Sequence, residues 1–253
     1  MRWWCSPRNP DGWGVAYYIA NTPHVIKSAR GAVDDLLFKH VSGVVASETV
    51  VAHVRKATQG QLSIVNSHPF QFGNWIFAHN GNIPNFDAVR AGLLDRVSPN
   101  KRRFILGNTD SEVIFHLMLT HLKRKGDLHA AFDTAAAADA MRETIRDIEE
   151  VTGLECYKPE DELSLSFILT NGQSLVAHQG GKELRYSTYK KRCPERDSCT
   201  SFAPCCEAPM PAGFVNHLIV SSEVLQGENV WVEMAPGEIV TVDHRMKFGT
   251  HGL

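Results

Sequence analysis

Three short polar segments carry residue types that can stabilise charge in a reaction. Arg55 follows the apolar run 49–54, Asn80-Gly81 follows another apolar run, and Asp110 lies within 109–112. A planar guanidinium suits two-point binding of a carboxylate, although Arg55 also fits a surface position at a strand end. An asparagine amide and the next backbone N–H can stabilise an oxygen that becomes negative when a carbonyl carbon is attacked. The sequence therefore offers a carboxylate clamp and a pair of oxyanion donors.

Two of these segments also have a structural interpretation. Asn80-Gly81 between apolar runs predicts a hairpin turn with positive φ at both positions, and such a turn can hold both donors rigidly. Thr109, followed three residues later by Glu112, predicts a capping box before an apolar helix. In that interpretation Asp110 complements the helix dipole. Neither structural role excludes the chemical one.

The elements that must position these residues follow from hydrophobic periodicity. Aromatic and β-branched runs bounded by turn residues predict strands at 13–19, 49–54, 75–78, 163–170, 174–179, 183–189, 217–223 and 238–243. Apolar spacing predicts helices at 34–41, 86–94, 113–122 and 128–151. The strand at 49–54 is predicted to be buried, and the helix at 113–122 to bury one stripe. Strands, then two long helices, then strands indicate packed sheets with helices outside.

Bulk properties exclude several classes of protein. A chain of 253 residues that is 43% hydrophobic can bury the core of one domain spanning 1–253. With 26 basic and 28 acidic residues it lacks the basic footprint of a nucleic-acid binder. It contains no apolar run long enough to span a membrane and no signal peptide pattern. Six cysteines are too few for a disulfide scaffold, which favours a reducing, cytoplasmic setting.

The order of the polar segments resembles that of the class II glutamine amidotransferases. The segments are NPDGWGVAYY (9–18), HVRKAT (53–58), NSHPF (66–70), AHNGNI (78–83) and TDSE (109–112). More narrowly, they resemble a stand-alone branch that cleaves γ-glutamyl amides in ergothioneine synthesis and glutathione breakdown. HLIVSSEVL (217–225) and VWVEMAPGEIVTVD (230–243) are similar to the family's closing segments. The resemblance implies an α+β fold, the four-layer αββα sandwich of N-terminal-nucleophile hydrolases, with no cofactor or metal.

The resemblance also implies a role for each site residue. Arg55 would clamp the α-carboxylate of a glutamyl group, and the Thr58 hydroxyl would add a bond to it. Asp110 would bind the α-ammonium, while Asn80 and Gly81 would form the oxyanion hole.

Three histidines accompany this set. His68 lies in a His-Pro loop and is interpreted as a scaffold residue, to which the resemblance adds a supporting role near the site. His53 and His79 are predicted to lie in a hydrogen-bonded interior beside the turn.

The sequence departs from the family at its nucleophile. The family uses an N-terminal cysteine whose own α-amine serves as base, whereas this chain has none at position 1 or 2. Cys5, preceded by four residues, is interpreted as a loop cysteine. We therefore expect an inactive chain, shortened at its N-terminus and lacking the first strand. The alternative is a non-catalytic, glutamyl-binding or regulatory pseudoenzyme.

The expected partners are small molecules. Glutamine or a γ-glutamyl compound would be the substrate, and a partner chain would be needed if ammonia were transferred. No nucleic acid or membrane is expected. Cys193, Cys199, Cys205 and Cys206 are interpreted as incidental thiols of a polar surface loop, since their spacing differs from that of the usual zinc pairs. Zinc binding is the weaker alternative.

Overall fold

The computed structural model of the protein describes residues 11–55, 63–209 and 213–252, which form thirteen strands and five helices. The strands are β1 (Trp13–Ile19), β2 (Thr22–Ser28), β3 (Val50–Val54), β4 (Phe70–Phe72), β5 (Trp75–Asn82), β6 (Ser164–Thr170), β7 (Leu175–His178), β8 (Arg185–Ser187), β9 (Gly213–Phe214), β10 (Ile219–Ser221), β11 (Val232–Glu233), β12 (Ile239–Val242) and β13 (Lys247–His251). The helices are α1 (Leu36–Val44), α2 (Phe86–Arg96), α3 (Pro99–Arg102), α4 (Asp110–Lys125) and α5 (Thr134–Thr152).

The predicted elements are present, and the shifted start of one helix, α5, has a local cause. β1 has its predicted bounds, whereas α5 begins at Thr134 and not at Leu128. The Asp133 carboxylate sets this start, because it accepts hydrogen bonds from the amides of Ala135 and Ala136. The sequence did not predict β2, β4, β9, β11, β13 or α3.

The strands form three antiparallel sheets. A small sheet has the order β2-β1-β3, a seven-stranded sheet has the order β4-β5-β6-β7-β12-β13-β9, and a third has the order β10-β8-β11. The third sheet meets the large one through an apolar cluster in which the rings of Tyr186 and Phe248 lie 5.2 Å apart. The two smaller sheets therefore cover different parts of the large sheet.

Alternation along β1 places the small sheet between a helix and the large sheet. Trp13 packs edge-on against Phe38 of α1, with ring centroids 5.0 Å apart. On the opposite face Ala16 and Tyr18 join a buried cluster with Ile76 of β5. Helices α2, α4 and α5 cover the far side of the large sheet. The predicted four-layer αββα order is confirmed.

Two predicted burial patterns are wrong. α4 begins at Asp110, and every residue from Asp110 to Leu122 is buried, where a single stripe was expected. It is buried all round because β5, α2 and α5 pack around it. In β3, only Val51 is buried, because β3 pairs with β1 alone among the described strands.

None of the helices in the described parts of the chain is long and apolar enough to cross a membrane.

The stacked rings of Phe77 and Phe115 join β5 to α4 at the centre of the core. Their centroids are 5.3 Å apart with planes 5° from parallel, and both side chains are fully buried. Phe115→Ala should lower the free energy of unfolding by roughly 3–5 kcal/mol, the usual effect of emptying such a site. Phe214, 62% exposed, provides the matched control, because Phe214→Ala should cost about 1 kcal/mol or less. Urea unfolding measures both, and similar losses would contradict this assignment of the core.

Candidate active site

A cavity of about 1380 Å³ is lined by residues of all three sheets. Eight of the residues singled out from the sequence line it: His53, Arg55, His68, His79, Asn80, Gly81, Thr109 and Asp110. These residues come from the end of β3, the loop before β4, the end of β5 and the start of α4. Thr58 and Cys5 lie outside the described residues.

Arg55 is held at the cavity wall by the turn that precedes β1. Its backbone N–H donates to the Gly12 carbonyl oxygen at 2.8 Å, and the residue is buried. Burial lowers the pKa of the Arg55 guanidinium, while the nearby Asp11 and Asp110 carboxylates act to raise it. Arginine stays charged under such conditions. The resemblance included Asp11 in the NPDGWGVAYY segment but implied no site role for it.

Asp110 is a buried carboxylate with a fixed direction. Its Oδ1 accepts from the Ser111 backbone N–H at 2.7 Å, and its Oδ2 accepts from the Ile83 backbone N–H at 2.9 Å. The second bond ties the start of α4 to the segment that follows β5. The Ser111 hydroxyl also lies 3.1 Å from Oδ1, and even three donors leave part of the acceptor capacity of a carboxylate unused. Asp110 can therefore receive a further donor from the cavity.

The predicted capping box is only half formed. The Thr109 hydroxyl accepts from the Glu112 backbone N–H at 3.4 Å, as predicted. The Glu112 carboxylate does not return this bond to Thr109 but accepts from the Leu106 and Gly107 amides at 3.0 and 2.7 Å. The glutamate therefore orders the loop before the helix and so fixes where Asp110 begins α4.

Asn80-Gly81 is not a hairpin turn. Both residues belong to β5 and pair with Ser166 and Leu165 of β6, and neither is among the residues with positive φ. The prediction failed because a long partner strand, β6, continues the ladder through this pair. By alternation, Asn80 shares the face of Ile76, which is directed toward the small sheet and the cavity.

The pairing also directs the Gly81 amide. Leu165 opposite Gly81 donates its N–H to the Gly180 carbonyl at 2.6 Å, and its carbonyl accepts from His178 Nδ1 at 2.8 Å. Both backbone groups of Leu165 thus point toward β7, as in a non-hydrogen-bonded antiparallel pair. The Gly81 N–H consequently points away from β6. The Asn80 amide and the Gly81 N–H can both serve as donors at the cavity.

Three neutral histidines lie beside these donors. The rings of His53 and His68 are 4.3 Å apart, and His68 also meets Phe70 edge-on at 4.8 Å. Burial lowers the pKa of His53 to about 4, and burial with neighbouring positive groups puts that of His68 well below its ordinary value. Neither ring nitrogen of His68 has a hydrogen-bond partner among the described residues. His68 therefore packs as an uncharged ring in the cavity wall.

His79 lies in the hydrogen-bonded interior that the sequence predicted. Its Nδ1 lies 2.9 Å from Ser111 Oγ, and its Nε2 lies 2.9 Å from the Ser164 carbonyl oxygen. His53 forms a hydrogen bond with the His79 backbone, although its Nδ1 has no partner among the described residues. Burial lowers the pKa of His79, while the Asp110 carboxylate acts to raise it.

The far wall of the cavity comes from segments to which the sequence analysis gave no site role. Residues in 157–163, 179–182 and 219–225 line it and include Lys158, Lys182 and Glu223. The segment 219–225 lies within HLIVSSEVL (217–225). The resemblance of that sequence to the family was the signal that could have pointed to a site role. The other segments are loops that only the folded chain brings to the cavity.

The cysteine-rich segment lies outside this cavity. Cys193 and Cys206 are buried, unlike incidental thiols of a surface loop, and Cys206 Sγ lies 3.0 Å from Asn216 Nδ2. All four cysteines between 193 and 206 are free. Across the described ranges, no three histidine, cysteine, aspartate or glutamate side chains are grouped so as to hold a metal ion.

Comparison with known proteins identifies the family. A family model described as class II glutamine amidotransferases matches residues 2–249. A Saccharomyces cerevisiae protein named Probable glutamine amidotransferase DUG3 is 35% identical over 183 residues, which are 67% of this chain and 51% of that protein. The chain spans about half the length of this relative and of one from Escherichia coli. The chain belongs to the class II glutamine amidotransferases.

Solved structures share the fold. A glutamine aminotransferase class-II domain protein from Silicibacter pomeroyi has a TM-score of 0.64 and 22% identity, over 95% of this chain and 91% of that chain. Glutamine phosphoribosylpyrophosphate amidotransferase from Bacillus subtilis has a TM-score of 0.56 and 16% identity, over 97% and 43%. At such identities the likeness establishes the fold alone, which is the α+β sandwich of the N-terminal-nucleophile type.

The close packing around Gly81 yields a test of the site. A Cβ at Gly81 would lie 1.9 Å from the Ser164 carbonyl oxygen and 2.3 Å from His79 Nε2. Gly81→Ala should therefore destabilise the fold by roughly 1–3 kcal/mol or more, as overpacking does. Gly43 in α1 has nothing within 4 Å of an added Cβ, so Gly43→Ala should raise stability by about 0.5–1 kcal/mol. Thermal unfolding measures both variants, and a neutral Gly81→Ala would disprove the close approach.

Proposed function

We propose that the cavity binds the glutamyl part of glutamine or of another γ-glutamyl compound and presents its γ-amide for cleavage. The observation that carries this proposal is that one cavity holds a buried guanidinium, a buried carboxylate and two candidate oxyanion donors. Arg55 pairs with the α-carboxylate of the ligand, and Asp110 accepts from its α-ammonium. A free amino-acid head group carries both of these charges, and the buried site strengthens both attractions.

The other end of the ligand lies at β5. In the family's reaction the thiolate of an N-terminal cysteine attacks the γ-carboxamide carbon, the amine leaves, and water then releases glutamate. Asn80 and Gly81 donate to the oxygen that becomes negative during the attack, and each such donor contributes a few kcal/mol to the transition state. The Thr58 hydroxyl adds a bond to the α-carboxylate, while His68 supports the wall. The reaction requires no cofactor.

Cleavage of the γ-amide requires a nucleophile, whereas binding of the glutamyl group does not, so the two roles are proposed separately. The buried side chains of Arg55 and Asp110 line the cavity and can hold a ligand without a nucleophile, which supports a second candidate function. In that case the single domain binds a glutamyl ligand without cleaving it and regulates a partner. In the enzymatic case, transfer of ammonia to an acceptor requires a partner chain. Both functions suit a cytoplasmic protein that acts on small molecules.

Binding of L-glutamate tests the head-group site without any chemistry. Arg55→Lys keeps the charge but loses the planar fork, so affinity should fall roughly tenfold or more. Arg146 on α5 is exposed and does not line the cavity, so Arg146→Lys should bind like the wild type. Isothermal titration calorimetry measures each affinity. Wild-type protein that binds no L-glutamate, or equal binding by both variants, would remove the head-group role of Arg55.

Cys5 yields a prediction about activity. A polypeptide that begins at Met1 should release no measurable ammonia from glutamine and no glutamate from γ-glutamyl peptides, because four residues precede Cys5 and occupy the α-amine that the family's mechanism needs as base. The assay compares the wild type with Cys5→Ser. Turnover that disappears in Cys5→Ser would assign the nucleophile to Cys5 and overturn the prediction.

A further inference from the structure

Ser111 lies between two groups to which the proposed function gives different tasks. Its hydroxyl oxygen is 2.9 Å from His79 Nδ1 and 3.1 Å from Asp110 Oδ1. His79 directly precedes the oxyanion donor Asn80 on β5, whereas Asp110 begins α4 and receives the ligand ammonium in the proposed function. His79, Asp110 and Ser111 are all buried. The hydroxyl is thus the bridge between the two ends of the site.

One hydroxyl proton cannot serve both neighbours. The Ser164 carbonyl only accepts, so the His79 Nε2 that lies 2.9 Å from it carries a hydrogen. In a neutral ring Nδ1 is then an acceptor, and Ser111 must donate its proton there. Asp110 Oδ1 receives only the Ser111 backbone N–H in this state. The carboxylate keeps capacity for a ligand ammonium.

Protonation of His79 reverses the bridge. The new Nδ1–H donates to Ser111 Oγ, and the hydroxyl proton turns to Asp110 Oδ1. The carboxylate then accepts an additional internal hydrogen bond, and a positive ring lies one hydroxyl away from it. Both changes compete with a cationic ligand group. The two states differ only in the position of protons and require no movement of the backbone.

We propose that Ser111 is a positioning residue that couples the protonation of His79 to the strength with which Asp110 binds the ligand ammonium. The proposal rests on the proposed function, since it assumes an ammonium at Asp110. It gives the site a pH dependence in which an acidic medium weakens ligand binding. The hydroxyl, and not the charge of His79 alone, carries this coupling.

The surroundings of His79 set the direction of the pH dependence. Asp110 faces it from α4, His53 from β3 and His68 from the loop before β4. Burial lowers the pKa of His79 below its ordinary value, and Asp110 opposes this. The neutral bridge is therefore present at neutral pH, and the reversed bridge forms as pH falls below the ordinary range of histidine. Binding should weaken on the acidic side.

The test compares three serine variants by L-glutamate binding. Between about pH 7.5 and pH 5, wild-type affinity should fall roughly fivefold or more relative to Ser111→Ala, which lacks the bridge. Ser111→Thr keeps a hydroxyl and should restore the wild-type profile. Ser187 is also buried, with its hydroxyl donating to the Tyr189 carbonyl at 3.0 Å, and it does not line the cavity. Ser187→Ala is the matched loss of a buried hydroxyl and should follow the wild type.

A second readout follows the histidine itself. Nitrogen NMR of protein labelled at its histidines reports the titration of His79, and L-glutamate should lower its midpoint in the wild type and in Ser111→Thr. In Ser111→Ala the ligand should shift the midpoint less than in the wild type, because only the charge of His79 then opposes the ligand ammonium, and binding and protonation are linked reciprocally.

The outcomes separate the two proposals. Wild-type protein that binds no L-glutamate would overturn the proposed function and, with it, the role of the bridge. Wild-type binding with the same acid dependence in Ser111→Ala would overturn the bridge alone and leave the head-group site intact.

Discussion

The register of β5 is the constraint on which the rest of the structure depends. Along this strand Trp75, Phe77 and His79 face the helices, while Ile76 and Asn80 face the small sheet. A slip of one residue would exchange the faces, burying the Asn80 amide under α4 and turning the rings into the cavity. The apolar contacts on both faces oppose such a slip. Core packing therefore also sets the direction of Asn80 and Gly81, the proposed oxyanion donors.

The burial of polar side chains at the start of α4 follows from this register. Asp110, Ser111 and Glu112 are buried where most helices place exposed residues. A buried polar group is costly unless it is hydrogen-bonded, and these three side chains bond to Ile83, His79 and the 106–107 loop. The bonds reach β5 and the segments beside it. The first turn of α4 is thus fixed to the strand that carries the donors, and the two ends of the site cannot move independently.

Burial in the cavity wall leaves some titratable groups of the site neutral and others charged. His53 and His68 lose their charge, because burial beside other positive groups lowers their pKa. Arg55 keeps its charge, since a guanidinium is hard to deprotonate and two carboxylates lie near it. This part of the cavity wall therefore combines the Arg55 cation and the Asp110 anion with uncharged rings. Such a wall suits a zwitterionic head group better than a ligand with a single charge.

The sequence by itself determined most of the elements, the family and the residues of one wall of the cavity. Local patterns were sufficient for β1, for the N-cap of α4 and for the identity of Arg55 and Asp110, because turn, cap and strand signals lie within a few residues of one another. Local patterns misassigned Asn80-Gly81 as a hairpin turn, because β6 continues the ladder through this pair. The first residue of β6, Ser164, lies 85 residues beyond His79 in the chain. The sequence also did not reveal the burial of α4 on all sides, the far wall of the cavity, or the contacts of the Ser111 hydroxyl with His79 and Asp110. Each depends on side chains from distant segments meeting in a low-dielectric interior, and only the tertiary structure decides which of them meet.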